Sequence, residues 1–149
     1  MKLAIASDHG GFRLKGAVLK LLSEKKIESL DLGVDSETSV DYPDYASEVA
    51  GRVSRGEVEG GILLCGTGIG MAITANKFKG VRAAVVTDPY TARMSKEHND
   101  ANVIAVGGRV LDETKAVETV RAWLEAEYEG GRHDRRLKKI AEIEAKHFK

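Results

Sequence analysis

The chain of 149 residues has one cysteine, no glutamine, only three asparagines and no net charge, with 23 Lys and Arg balancing 23 Asp and Glu. Each shortage excludes something. A single cysteine, Cys65, forms no intrachain disulfide, so it is either core filler or a working thiol. No Cys/His cluster has the spacing of a zinc site and the loop acids form no calcium-ligand pattern, so no metal is expected. Zero net charge removes the whole-surface field that nucleic acid or an anionic membrane would need, and any basic site has to be local. No stretch approaches the ~18 apolar residues of a membrane span. The opening "MKLAIASDHGG" has too short an apolar run for a secretory signal and ends in charge, so a cytoplasmic location is expected. Scarce amides beside abundant Lys and Glu suit a source that grows hot. No repeat, low-complexity tract or dividing linker interrupts the chain, and one domain over residues 1–149 is expected.

What is present is an alternation. Short β-rich runs, Leu3–Ser7, Ile27–Leu32, Gly61–Cys65, Val81–Val86 and Val103–Val106, are mostly apolar from end to end, as parallel strands covered on both faces are. Helical patterns lie between them: Phe12–Lys26, Tyr45–Val53, Ile69–Phe78, Tyr90–Glu97 and Thr114–Tyr128. This alternation predicts a three-layer α/β/α, Rossmann-like doubly wound sheet of about five parallel strands. A last amphipathic segment, Arg135–Phe148, follows Gly130 and Gly131 and is expected to form a helical arm, on its own domain or on a partner subunit. In such sheets ligands sit beyond the C-terminal strand ends. The segments "SDHGG", "CGTGIG", "VTDPY" and "VGGRV" should therefore open on one edge.

The stretch "LLCGTGIGMA" places Cys65 at the mouth of a loop with Gly66, Gly68 and Gly70. Glycines let a ligand approach the backbone, and the helix that follows directs free N–H groups at an anion. The spacing matches neither the dinucleotide fingerprint nor the Walker loop, and a simple tight turn is the plainer reading. A thiol at a helix N-terminus is favoured as thiolate, which separates Cys65 from an inert core cysteine. In "SDHGG", Asp8 or Ser7 suits a helix cap, but capping gives no use for His9. In "KEHNDANVIAVGGRV", His98 and Asn99 could end a helix, while a histidine there also titrates near neutrality; Arg109 follows the next strand. In "GGRHDRR", Arg132 and Arg136 are four apart and would clamp a phosphate from one helix face, or else simply start a solvated basic helix. No aromatic-rich reading module accompanies this patch, so no nucleic-acid partner is expected.

In their order along essentially the whole chain, "SDHGG", "DYPDYA", "CGTGIGM", "KEHND" and "YEGGRHDRR" resemble the ribose-5-phosphate isomerase B family, which includes the related galactose- and allose-6-phosphate isomerases. The resemblance implies an aldose–ketose isomerase of the non-oxidative pentose phosphate pathway. It further implies a homodimer or dimer of dimers with active sites shared at the subunit interface, and neither metal nor organic cofactor. By this resemblance Cys65 is the base that moves the proton between C1 and C2. His98 helps open the sugar ring with Asn99 beside it, and Tyr42 and Thr67 assist ring opening and proton movement. Asp8 and His9 contact the sugar, and the backbone of Gly66, Thr67, Gly68, Ile69 and Gly70 cradles the enediolate. Arg109, Arg132 and Arg136 hold the phosphate. Members lacking the cysteine carry a glutamate just after the glycine loop; Met71 stands there in this chain, which makes it the cysteine type.

The chemistry suits these residue types. Isomerisation needs a base on one face of the sugar, a proton donor for its oxygens, and fixed dipoles where enediolate charge develops. Two rival functions remain open on the sequence: a six-carbon aldose 6-phosphate isomerase on the same scaffold, and a sugar-phosphate sensor without catalysis. A covalent thiol mechanism would require a base such as His98 or His9 beside Cys65.

Overall fold

The computed structural model describes residues 1–148. Along it run β1 (Lys2–Ser7), α1 (Phe12–Glu24), β2 (Glu28–Asp31), α2 (Tyr42–Ser54), β3 (Gly60–Cys65), α3 (Ile69–Ala75), β4 (Ala83–Val85), α4 (Pro89–Glu97), β5 (Val103–Gly107), α5 (Glu113–Glu125) and α6 (Arg132–His147). The five strands form one sheet in the order β2-β1-β3-β5-β4, with every neighbouring pair parallel.

The central strands are apolar on both faces because helices cover both. Leu3, Ile5, Ile62, Leu64, Ile104 and Val106 point into a core shared with Val18 and Leu22 of α1, Ala92 of α4 and Trp123 of α5. The alternate residues Ala4, Ala6, Leu63, Cys65, Val103 and Ala105 face α2 and α3. That second layer is rich in alanine, so its helices sit close; a Cβ on Gly61 would lie 2.4 Å from Val49 of α2. β2 runs along the edge of the sheet and reads Glu-Ser-Leu-Asp, largely exposed. Trp123 is fully buried, donates its indole N–H to Ala101 O at 3.0 Å, and carries the Lys96 ammonium 4.3 Å above its ring.

Several boundaries differ from the sequence expectation, each for a local reason. α2 starts at Tyr42 rather than Tyr45, because Pro43 occupies its first turn, where a missing N–H costs nothing. α3 stops at Ala75 instead of Phe78. The Asn76 side chain turns away to bond both the N–H and the carbonyl of Ala83, and β4 shrinks to Ala83–Val85. α6 begins at Arg132 rather than Arg135, directly after Gly130 and Gly131, both at positive φ. Neither Asp8 nor Ser7 caps α1: the N-cap is Gly11, and the buried Ser7 hydroxyl has no partner among the described residues.

The topology places the crevice. From β1 the chain moves outward to β2, then returns past β1 to β3, and the helices after β1 and β3 lie on opposite faces of the sheet. The loops Asp8–Gly11 and Gly66–Gly68 therefore diverge from adjacent strand ends, paired at Ser7↔Leu64, and leave a gap at a topological switch point.

Candidate functional site

Cys65 is the last residue of β3, pairs with Gly107 of β5, and is only 4% exposed. Its Sγ accepts a hydrogen bond from the Gly68 N–H at 3.0 Å. Gly68 takes φ = +85°, a left-handed conformation, with the loop pressed against β5; a Cβ there would stand 3.1 Å from the backbone of Ala105. Glycine is the residue that fits both demands.

Around this thiol lies a cavity of about 420 Å³ whose walls include Asp8, Tyr42, Thr67, Ile69, Gly70 and Arg109. Asp8 is 7% exposed, and its Oδ1 accepts from the N–H groups of Gly10 (2.8 Å) and Gly11 (3.2 Å). The turn after β1 is thereby locked, and Oδ2 makes none of these contacts. The Tyr42 ring lies against Gly70 so closely that a Cβ at Gly70 would be 2.5 Å from it. Arg109 comes from the loop after β5, which is tied to the thiol loop by Gly108 N–H to Cys65 O (2.7 Å) and Arg109 N–H to Gly66 O (2.9 Å). Thr67 is exposed, and its Oγ1 accepts from the Ile69 N–H at 3.2 Å. His9 is half-buried next to Asp8, and its Nδ1 accepts from the Val40 N–H at 3.2 Å. In a neutral ring that leaves the proton on Nε2.

The remaining expected residues gather elsewhere on the chain. His98 caps the C-terminus of α4, as its residue type allowed, but it also stacks on His133 with ring centroids 4.3 Å apart. Its Nε2 lies 3.3 Å from Glu129 Oε1, and His133 Nε2 lies 3.6 Å from the same oxygen. Burial first, then the neighbouring His98, holds the His133 imidazole below the usual histidine range. Arg132 and Arg136 stand exposed one turn apart at the start of α6, flanking His133. Asn99 faces a second cavity, about 450 Å³, whose walls include Ala83 and Ala84 of β4 and Ile140 and Ile143 of α6. That cavity is slightly larger and lacks the thiol. Sequence reasoning missed Glu129 and His133. Their i,i+4 spacing within "EGGRH" was visible, but the stack that gives them meaning joins residues far apart in sequence.

A parallel α/β sheet with a thiol, a carboxylate and an arginine around the crevice at its switch point defines a protein built for proton chemistry on a small polar ligand. The family described as ribose/galactose isomerase matches residues 3–140. The chain belongs to that family. It is 51% identical over 143 residues to ribose-5-phosphate isomerase B of Escherichia coli (strain K12), covering 96% of each protein. Among solved structures, ribose-5-phosphate isomerase B of Clostridium thermocellum superposes with a TM-score of 0.96 at 50% identity, covering 99% of both chains. The ribose-5-phosphate isomerase B of Mycoplasma genitalium, solved with bound ribulose-5-phosphate, gives 0.93 at 40% identity, covering 97% of this chain and 96% of that one.

Proposed function

We propose that this chain interconverts D-ribose 5-phosphate and D-ribulose 5-phosphate, with Cys65 as the base. The observation that carries the reading is the Cys65 Sγ held by the Gly68 N–H at the wall of an open cavity that Asp8 and Arg109 also line. From the opened aldose, the thiolate takes the proton on C2, and charge moves onto O1 as the enediolate forms. The proton returns to C1 while the hydroxyl proton passes from O2 to O1, so no proton is gained or lost overall. The backbone amides of the Gly66–Gly70 loop receive that charge without reorganising, while Arg109, on the cavity wall, holds the phosphate with Arg132 and Arg136. Asp8 and His9 contact the sugar, and Tyr42 and Thr67 assist ring opening and proton movement.

The active unit is a homodimer or a pair of dimers in which His98, Asn99, Arg132 and Arg136 of one copy complete the Cys65 cavity of another. Two observations support this reading. Those four residues do not line the cavity of their own chain. Apolar side chains also stand exposed on both would-be faces: Ile69 and Ile73 beside the cavity, Ile140 and Ile143 on α6. The arm over residues 132–149 would then pack on the neighbour, with 1–149 as one domain. The cytoplasm suits a working free thiol, because reducing conditions keep it available. No helix among the described residues is long and apolar enough to cross a membrane.

The reaction is tested by offering ribose, allose and galactose phosphates to purified protein. Fastest turnover of the five-carbon substrate is expected; a faster six-carbon substrate would reassign the specificity, and turnover of none would favour a sensor. Site sharing is tested by mixing Cys65→Ala and Arg136→Ala subunits. Heterodimers should regain activity through one intact site, and a verified heterodimer without rescue overturns the shared site.

A further inference from the structure

The stacked pair His98 and His133, with Glu129, brings three metal-ligating groups to one point, their ligand atoms all within 4.8 Å of one another. Ligands about 2.0–2.1 Å from a tetrahedral zinc lie roughly 3.3–3.4 Å apart. The two separations to Glu129 Oε1, 3.3 Å from His98 Nε2 and 3.6 Å from His133 Nε2, fall close to that spacing. The cluster is also held in place. The Glu129 N–H donates to Glu97 O at 3.0 Å, which fixes the loop before α6 against the end of α4. His133 is buried, one turn along from Glu129, and its N–H donates to Gly130 O at 3.1 Å. Glu129 is exposed and His98 half-exposed, so an ion can reach them from solvent.

We propose that His98, Glu129 and His133 form a binding site for a borderline divalent transition metal, zinc being the type case, and that occupancy switches the isomerase off. Two imidazoles and one carboxylate leave the fourth tetrahedral position to water. Imidazole and carboxylate donors select such a metal over calcium or magnesium, which take all-oxygen sites. The rings stack within 18° of parallel, so they must splay for both lone pairs to converge on one ion. The inhibitory consequence rests on the shared site proposed above and on the expectation from the family resemblance that His98 helps open the sugar ring: a nitrogen bound to zinc no longer takes part in that proton movement.

The test titrates chelator-treated protein with zinc chloride by calorimetry, and with cobalt(II) by visible absorption, where tetrahedral coordination gives strong bands. One ion per chain is expected, with affinity at least tenfold weaker in Glu129→Gln and in His133→Ala and retained in Cys65→Ser. Equal binding by all variants, loss of binding only in Cys65→Ser, or no binding at micromolar metal overturns the site. Turnover is followed in parallel, each variant against its own metal-free rate. Inhibition that chelator reverses, in the unmodified protein but not in Glu129→Gln, supports the switch. Zinc bound at the cluster with turnover undiminished overturns the switch and the role of His98, while the isomerase reading, judged by metal-free turnover, stands apart.

Discussion

Replacing Gly68 by alanine isolates the contact on which the base depends. Two costs can be worked from its surroundings. Holding alanine at φ = +85° costs about 1–2 kcal/mol. In a chain of this size that lowers the melting temperature by roughly 2–8 °C. The new Cβ would also stand 3.1 Å from Ala105 backbone atoms, so the loop must shift by a few tenths of an ångström, away from β5. The N–H that now reaches Cys65 Sγ at 3.0 Å moves with it. A hydrogen bond to a charged group contributes about 1.5–3 kcal/mol. Losing it from the thiolate should therefore lower kcat/KM roughly 10- to 150-fold. The assay pairs turnover with the rate at which iodoacetamide alkylates Cys65, which follows the thiolate without requiring substrate. Both rates should fall together, with circular dichroism unchanged. A folded Gly68→Ala protein that keeps turnover and alkylation within about threefold of the original would refute the reasoning, because the amide would then not be what sustains the anion.

Two other perturbations test the frame around the site. Trp123→Phe loses the indole bond to the Ala101 carbonyl and weakens the contact with Lys96, whose ammonium burial already pushes below its usual range. It should cost about 2–4 kcal/mol in urea denaturation while leaving the Cys65 cavity intact. The Tyr128 hydroxyl, pushed up to about 12 by burial and by its bond to Asp134 at 2.6 Å, should give an ultraviolet titration step well above the ordinary tyrosine value near 10. A group raised in the folded state stabilises below its unfolded value and stops doing so as pH rises through the folded one. The start of α6 should therefore loosen between about pH 10 and 12, and Asp134→Asn should bring the titration part of the way back toward 10. An unchanged titration in that variant would contradict the Asp134 contribution.

How far the sequence reached is clearest from particular residues. β1, β3 and β5 were legible because double-sided burial leaves an unbroken apolar run, and the five strands fell close to where those runs lie. The meeting of Asp8, Cys65 and Arg109 followed from strand polarity alone, since parallel strands bring their C-terminal ends to one edge. Strand order is a different matter: that β5 inserts between β3 and β4 is set by packing across the sheet, which no local pattern encodes. Asp8 looked like a helix cap from its residue type and instead binds the Gly10 and Gly11 amides ahead of the helix. The early start of α2 could have been read from Pro43, a residue suited to a first helical turn. The pairing of His98 with His133 depends on where α6 leaves the domain, so neither residue's own neighbours announce it.

The proposed isomerisation turns on the thiol, and the most direct measurement follows conversion of ribose 5-phosphate to ribulose 5-phosphate by chelator-treated protein beside its Cys65→Ala variant. The variant removes Sγ from a site whose remaining walls, Asp8, Tyr42 and Arg109, stay as they are. Loss of turnover by at least a thousandfold, with folding and substrate binding retained, is the predicted result, since proton transfer would then have no base. Turnover in Cys65→Ala close to that of the unmodified protein would contradict it, and would assign the proton to another group in the cavity.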